Sequence, residues 1–255
     1  MFSPFLRLRK TPLRKISLRR LSPLSDDRNI FLKLENCHPT GTVKDRAACW
    51  LIQKALTHNT LAPRGIFVDA SAGNFGVSLC YFARKLGYRA TIVLSENTSR
   101  EHRDRIKKFG GNILLTSEEG GENAMRAVAK EYAMRQHNAY FVDQYGDLES
   151  ICVHEQTTAV EILEQVPNIS AFVTVAGSGG LIIGVGRRLR EIYPRVAIIR
   201  AKCTNMPFTP GPLYQQYAAD LDIIEIGIDN GYLEHARSVL SHPLGVRWES
   251  MDTLS

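Results

Sequence analysis

The chain has 255 residues, of which 44% are hydrophobic and 23% are charged. These values are typical of a globular protein with a sizeable core, and they exclude the disordered and fibrous classes. No apolar run reaches the length that a membrane span requires, so a membrane partner is not expected. The formal net charge is +6, and much of the positive excess lies in the first 20 residues, which carry no acidic side chain.

This basic N-terminal arm is predicted to be solvated. A mitochondrial transit segment and a nucleic-acid contact are both basic and poor in acid. However, Pro4, Pro12 and Pro23 would interrupt a helix, and no aromatic residues interleave the charges to stack on bases. We therefore predict a cytoplasmic protein without a nucleic-acid partner, and a mitochondrial location is the weaker alternative.

Cysteines and histidines predict neither disulfides nor a metal site. The five cysteines include no C-x-x-C pair, which indicates reduced thiols. The seven histidines lack the spacing of metal ligands, so no metal is predicted.

Hydrophobic runs bounded by glycine, proline and polar residues predict seven strands and six helices. The strands are predicted at residues 28–35, 65–70, 89–94, 112–116, 139–142, 171–175 and 196–200, the last of which closes the series. The helices are predicted at residues 42–58, 75–86, 99–109, 122–135, 151–165 and 181–192. This alternation indicates an α/β fold with mostly parallel sheets flanked by helices. Ligands of such sheets bind beyond the carboxyl ends of the strands, so the strand-to-helix turns are expected to carry the chemistry.

The helix predicted from residue 42 begins with a motif that makes one lysine distinctive. Thr42 and Asp45 form a T-x-x-D box, in which each side chain is expected to cap a backbone N–H of the first turn. Lys44 therefore lies in the first turn, where the helix dipole disfavours a cation. The position suits a neutral amine, such as a lysine that forms a Schiff base with an aldehyde cofactor. The alternative is a surface lysine paired with Asp45 or Glu35.

The turn at residues 71–76, Ser-Ala-Gly-Asn-Phe-Gly, follows a predicted buried strand and opens a helix. Its small residues leave backbone N–H groups uncovered at a helix N-terminus, which suits an anion such as a carboxylate, and Asn74 adds a side-chain amide. A tight turn that needs glycine, with Asn74 as a cap, explains the same residues. The sequence leaves both interpretations open.

The turn at residues 177–180, Gly-Ser-Gly-Gly, favours phosphate binding. It lies between an apolar strand and an apolar helix, where backbone N–H groups and a hydroxyl can cradle a phosphate. Close packing of helix on strand would explain one glycine but hardly three. A dinucleotide fingerprint fails because its last glycine falls on Ile182 and Arg200 stands where an acid should end the next strand. No G-K-[ST] follows the glycines, so a P-loop fails as well.

Several segments together resemble a known family in order and spacing. They are Lys33–Asn36, Pro39–Arg46, Ser71–Gly76, Gly177–Gly180, and Gln144 with His154–Glu161. The resemblance is to the cysteine synthase and cystathionine β-synthase family of fold-type II pyridoxal phosphate enzymes, and it runs from Thr11 to about Arg200. A lysine for the aldehyde and a glycine turn for the phosphate together describe a site for this cofactor.

The resemblance implies a role for each matching residue. Lys44 would form the Schiff base with pyridoxal 5'-phosphate and shuttle the proton at the substrate α-carbon, and Asn74 would hydrogen-bond the 3′ oxygen of the cofactor. The cofactor phosphate would be held by Gly177, Ser178, Gly179 and Gly180. The substrate α-carboxylate would be held by Ser71, Ala72, Gly73, Phe75 and Gln144.

The resemblance also implies a reaction and an architecture. The reaction is a transferase-type β-replacement on an activated serine, O-acetylserine or O-phosphoserine, through an aminoacrylate, as in cysteine biosynthesis. A smaller lobe, residues 41–145, would bind the substrate carboxylate, and a larger lobe, residues 1–40 plus 146–255, would bind the cofactor phosphate. Relatives imply a homodimer.

Departures from the family pattern keep other functions open. Ala72 and Leu181 stand where the family usually has hydroxyl residues, and Phe75 is bulkier than the usual threonine and is expected to narrow the pocket. A different acceptor nucleophile, such as an amino acid, is therefore an option. Relatives also continue beyond this length and supply a late serine or threonine to the pyridine nitrogen. The alternatives are β-elimination of the serine or threonine ammonia-lyase kind, and a non-catalytic or regulatory relative.

Overall fold

The computed structural model describes residues 8–16, 29–71, 73–117, 120–203 and 210–228. Most of the basic arm, Ala72 and the C-terminal tail lie outside the described residues. The described residues divide into two compact units: the first contains those within 38–149, and the second contains those within 10–37 and 150–228. None of the helices in the described ranges is long and apolar enough to cross a membrane.

Strands alternate with helices along the described residues. The strands are β1 (Leu13–Ile16), β2 (Ile30–Lys33), β3 (Ile66–Ala70), β4 (Arg89–Ser95), β5 (Asn112–Thr116), β6 (Ala139–Phe141), β7 (Ala171–Thr174), β8 (Ala197–Cys203) and β9 (Ile224–Ile228). The helices are α1 (Lys44–Thr57), α2 (Asn74–Lys85), α3 (Arg100–Lys108), α4 (Gly121–Arg135), α5 (Glu149–Val153), α6 (Ala159–Gln165), α7 (Gly180–Ile192) and α8 (Pro212–Tyr217). From α1 to β6, every bound lies within two residues of the predicted one, because apolar runs and turn residues mark these elements clearly.

The first unit is built on a four-stranded sheet in the order β5-β4-β3-β6, and each neighbouring pair is parallel. β3 is buried along its whole length, as expected for a parallel strand covered on both faces. One face of α1 is also buried; it includes Ala47, Ala48, Leu51, Ile52 and Ala55. The prediction of parallel sheets flanked by helices is therefore confirmed.

The second unit contains an antiparallel pair, β1-β2, and a three-stranded parallel sheet in the order β7-β8-β9. Ile182, Ile183 and Leu189 of α7 are fully buried in a core with Ile198 of β8. The opposite face of this sheet is apolar and open: Val173 is 59% exposed and Ile224 is 50% exposed. The two sheets thus differ in how completely they are covered.

One of three sequence predictions for the second unit, the strand that closes the series, is wrong, and the other two hold with additional detail. The helix predicted at residues 151–165 is present, and it contains a π-helical turn, His154–Thr158, that hydrophobic spacing does not reveal. The strand predicted to close the series at residue 200 continues to Cys203 and pairs with β9. In the described part of the basic arm, Arg14 and Lys15 are exposed, as predicted for solvated charges, and the segment Leu13–Ile16 also forms β1, which pairs with β2.

Side chains of α6 hold the start of β1 in place. The Thr11 N–H donates to Glu161 Oε2 at 3.1 Å, and Lys33 forms an ion pair with the same oxygen at 2.7 Å. Gln165 Oε1 accepts from the Leu13 N–H at 2.9 Å. Since Thr11 is only 2% exposed, its hydrogen bond to Glu161 is a buried contact that fixes this edge of the second unit.

Candidate active site

The start of α1 places Lys44 in the first helical turn, as predicted. The reciprocal T-x-x-D box is wrong. The Thr42 hydroxyl accepts from the Lys44 N–H at 3.2 Å, but the Asp45 carboxylate turns back to the Thr40 N–H at 2.8 Å and to the Ser78 hydroxyl at 2.6 Å. The reason is local: Gly41 has a φ of +82°, which folds the preceding residues over the helix start.

The Lys44 amine is partly buried and donates to Gln144 Oε1 at 2.7 Å. Burial lowers the pKa of Lys44 to about 8, although the negative charges of Glu122 and Asp69 oppose this shift. A substantial fraction of the amine is therefore neutral near physiological pH. The alternative of a surface lysine paired with Asp45 or Glu35 does not hold, because the amine is partly buried and bonds to Gln144.

Gln144 is fixed by a residue that the sequence analysis missed. Asp69, which is fully buried in β3, accepts from the Gln144 N–H through Oδ2 at 3.1 Å and from the Ala70 N–H through Oδ1 at 2.8 Å. Burial raises the pKa of Asp69 to about 7. The available signal was a carboxylate inside the apolar run Ile-Phe-Val-Asp-Ala, since such residues are rarely fully buried without a reason.

The residues on either side of Gln144 are held by α4. Arg126 binds both oxygens of the Asp143 carboxylate, at 2.7 and 3.0 Å. The Tyr145 hydroxyl hydrogen-bonds Glu122, and burial raises the pKa of both groups. The loop that carries Gln144 is therefore anchored before and after that residue.

In the turn at residues 71–76, the Ser71 hydroxyl is used inside the turn, where it accepts from the Gly76 N–H at 3.1 Å. Asn74 is the first residue of α2, and its Oδ1 accepts from Arg105 at 3.1 Å, so the group that remains for a ligand is the Nδ2 donor. Phe75 is only 1% exposed and packs in the core, so it can offer a ligand only its backbone N–H. The Phe75 ring therefore does not narrow a pocket, as the sequence analysis expected, because it is buried in the core.

The turn at residues 177–180 leads into α7. Gly179 has a φ of +100°, and a Cβ there would lie 2.4 Å from the Tyr214 nitrogen; a Cβ on Gly180 would lie 2.3 Å from the Ser150 carbonyl oxygen. Close packing thus explains two glycines rather than one. The donors of this turn are the first N–H groups of α7, which no helical carbonyl can accept from, and the Ser178 hydroxyl, so the turn fits a phosphate.

The predicted site residues therefore fall into two groups. The structure brings Lys44 and Gln144 together in the first unit, which also contains Ser71, Gly73, Asn74 and Phe75. The second unit contains Gly177, Ser178, Gly179 and Gly180. Ala72 lies outside the described residues.

Parallel sheets flanked by helices define an α/β protein, and comparison with known proteins identifies its family. A family model described as "Pyridoxal-phosphate dependent enzyme" matches residues 5–231. The chain belongs to this family of pyridoxal phosphate-dependent enzymes. Its fold is that of the fold-type II members, as predicted.

Cysteine synthases are among the similar sequences. A probable cysteine synthase of Bacillus subtilis (strain 168) is 32% identical over 205 residues, which are 79% of this chain and 65% of the relative. Cysteine synthase B of Escherichia coli (strain K12) is 34% identical over 202 residues, with the same coverage of 79% and 65%. The chain thus spans less than two thirds of the length of these relatives.

Solved structures show the same fold. A hydrogen sulfide-producing enzyme from Fusobacterium nucleatum is 30% identical, with a TM-score of 0.66 over 71% of this chain and 55% of that chain. An O-acetylserine dependent cystathionine beta-synthase from Helicobacter pylori superimposes with a TM-score of 0.81 over 91% of this chain and 81% of that chain. The latter is 24% identical and carries an argument about fold alone.

Proposed function

We propose that this chain is a pyridoxal phosphate-dependent transferase that catalyses β-replacement on an activated serine, O-acetylserine or O-phosphoserine. Family membership and the cysteine synthase relatives support this proposal. The observation that carries it is the Lys44 amine, which bonds to Gln144 at 2.7 Å and has a pKa of about 8. A lysine with these properties is suited to covalent attachment of an aldehyde cofactor.

The proposed cofactor contacts use residues of both turns. Lys44 would hold the aldehyde carbon, and Asn74 would donate through Nδ2 to the 3′ oxygen. The phosphate would be held by Gly177, Ser178, Gly179 and Gly180. When bound, pyridoxal phosphate supplies an electron-withdrawing ring that stabilises negative charge at the substrate α-carbon.

Lys44 is also the proposed proton shuttle at that carbon. A general base works best when its pKa lies near the working pH, and about 8 meets this condition. Gln144 holds the amine through its carbonyl oxygen, so the nitrogen has a defined position before it accepts a proton. Each turnover then requires Lys44 to take a proton from the α-carbon and return one.

The substrate α-carboxylate is proposed to bind at the N-terminus of α2. The N–H groups of Gly73 and Phe75 lie in or before the first turn of that helix, where the dipole favours an anion. Ser71 supports the turn through its bond to Gly76, and Gln144 borders the amine. The role of Ala72 remains the prediction made from the resemblance.

Reductive trapping tests the cofactor site. The purified chain is incubated with pyridoxal phosphate, reduced with borohydride, digested and mapped by mass spectrometry. We expect the label on Lys44, with a yield that rises as the pH passes through about 8. Lys54 is the internal control, because its ion pair with Asp147 raises its pKa. Absence of label on Lys44, or equal labelling of Lys54, contradicts the proposal.

Product analysis tests the reaction. With sulfide and O-acetylserine or O-phosphoserine, β-replacement releases cysteine, and the Lys44→Ala variant is expected to release none. Pyruvate from serine instead would favour β-elimination. Cofactor attachment without either product would favour a non-catalytic relative.

We also propose a homodimer, on the resemblance to the family alone. Sedimentation velocity over a range of protein concentrations tests this directly. A species of 28.6 kDa at every concentration would contradict it.

A further inference from the structure

Asp69 lies at the centre of the first unit, in a place where packing alone would favour an apolar residue. Its strand, β3, pairs with both β4 and β6, and the Asp69 side chain is 0% exposed. A buried carboxylate costs free energy unless hydrogen bonds compensate for the lost water. The bonds it makes therefore indicate what it is for.

The Asp69 carboxylate holds the chain where β6 leaves the sheet. Backbone pairing with β3 continues to Val142, whose N–H donates to the Val68 carbonyl at 2.9 Å. Asp143 then has a φ of +54°, and the chain turns away. The next N–H, that of Gln144, donates to Asp69 Oδ2 at 3.1 Å. Asp69 thus holds the backbone at Gln144, just after the last backbone hydrogen bond between this segment and β3.

Gln144 passes this constraint to the lysine. Its side chain is only 1% exposed, and its Oε1 accepts from Lys44 Nζ at 2.7 Å. We infer that Asp69 is a positioning residue for Lys44 and acts through Gln144. The inference rests on the proposed function in that Lys44 is taken as the cofactor lysine.

Through-space charge is the competing explanation. The groups that act electrostatically on Asp69 or Lys44 are Glu122, Arg126, Asp143 and Tyr145. A negative charge at Asp69 favours the ammonium form of Lys44, and so does the hydrogen bond to Gln144, so losing either lowers the pKa of Lys44. Only the positioning route, however, requires Gln144.

Lysine reactivity in the full chain separates the two routes. The chain is treated briefly with formaldehyde and a reducing agent at a series of pH values on both sides of 8, and methylation of each lysine is measured by mass spectrometry. The variants are Asp69→Asn, Gln144→Ala and the double variant. Asp143→Asn is the matched control, because it makes the same chemical change at the residue next to Gln144. Asparagine tolerates the positive φ of this position. The Asp143 carboxylate binds Arg126 and not Gln144 or Lys44 in the contacts described above.

If Asp69 acts through Gln144, each single variant lowers the pH midpoint of Lys44 methylation by on the order of half a pH unit. At a pH below the midpoint, this shift makes methylation of Lys44 about threefold faster than in the wild type. The double variant then shifts no further than the larger single shift, because the two residues belong to one path. Lys54 is unaffected, and Asp143→Asn shifts Lys44 less than Asp69→Asn does. Additive shifts, or a wild-type profile for Asp69→Asn, would overturn the inference.

A second variant covers the case in which Asp69→Asn does not fold. Asp69→Glu keeps the charge but moves the carboxylate away from the Gln144 N–H, so it is expected to lower the Lys44 midpoint as well. A wild-type midpoint in folded Asp69→Glu protein would show that charge alone matters. Since the labelling needs no pyridoxal phosphate, its result is independent of the trapping experiment that tests the proposed function.

Discussion

The turns at residues 71–76 and 177–180 occupy equivalent places in their units, but they are held differently. Each joins the end of a parallel strand to the start of a helix, β3 to α2 and β7 to α7. The first is held by the Ser71 hydroxyl, and a Cβ on Gly73 would meet no described atom within 4 Å. The second is held by backbone packing, since a Cβ on Gly179 would lie 2.4 Å from the Tyr214 nitrogen. Gly73 of the first turn borders open space, whereas neighbouring backbone already occupies the space at Gly179 and Gly180 of the second.

The largest difference should appear when Gly179 is replaced. Gly179→Ala is expected to lower the free energy of unfolding by about 3 kcal/mol, because the new methyl group meets backbone at a positive φ. Gly87→Ala is the control: Gly87 has a φ of +78°, but a Cβ there meets no described atom within 4 Å, so only about 1 kcal/mol is expected. Urea unfolding measures both, and equal losses would show that packing against Tyr214 is not what fixes the second turn.

The two units should also respond to pH in opposite directions. Burial raises the pKa of Asp69 from 3.8 to about 7, so the folded first unit binds an extra proton between these values. Its stability should fall as the pH rises through this window, by up to about 1 kcal/mol per pH unit. In the second unit, hydrogen bonds from Lys202 and Arg200 lower the pKa of Glu225 from 4.5 to about 2. The stability that this carboxylate contributes is therefore lost as the pH falls from 4.5 toward 2.

Pulsed hydrogen exchange after equilibration in urea at each pH resolves the two units. Peptides from β3 report the first unit, and peptides from β8 report the second. Slopes of the same sign in both units would contradict the assigned pKa values.

Replacing the serine that holds the first turn should have a smaller effect. Ser71→Ala is expected to cost about 1 kcal/mol, because the Gly76 N–H loses a buried acceptor. Ser95→Ala is the matched control, since its hydroxyl accepts from the Asn97 N–H at 3.2 Å in an exposed turn. Unfolding midpoints for the pair test this, and the prediction fails if Ser95→Ala costs as much.

The smallest effect on stability is expected at Gly73. Its φ of −127° suits any residue and a methyl group finds space, so Gly73→Ala should change the free energy of unfolding by less than about 0.5 kcal/mol. If this space receives the substrate carboxylate, the same variant should weaken substrate binding, measured as the spectral response of the cofactor-loaded protein to O-acetylserine. A large loss of stability would mean that the first turn is as tightly packed as the second.

The sequence predicted the elements of the first unit well because each strand is a short apolar run between clear turn residues. It also placed Lys44 at a helix start. It could not predict that Lys44 meets Gln144, 100 positions along the chain, from spacing alone, and only the family resemblance brought Gln144 into the site. Asp69 was missed because an isolated acid inside a strand was taken as part of the strand, although its burial is the more informative property.

The second unit was predicted less completely, for local reasons. β9 has the alternating pattern Ile-Glu-Ile-Gly-Ile, but its short length and the open face of its sheet weaken the signal of a buried strand. The T-x-x-D box was predicted from a pattern that fits many helices. Here Gly41 brings Thr40 to Asp45 and removes the expected partner.

The π-helical turn at His154–Thr158 sets the rotational phase of α6. A π turn accommodates one residue more than an α turn, and one residue corresponds to a rotation of about 100° about the helix axis. Removing Thr157 by a codon deletion would therefore convert the π turn into an α turn and leave Glu161 and Gln165 facing Thr11 and Leu13. Removing Val160, which follows the π turn in α6, would instead rotate both side chains away by about 100°. Tolerance of single-residue deletions in this helix thus depends on angular alignment, not on the identity of the amino acid removed.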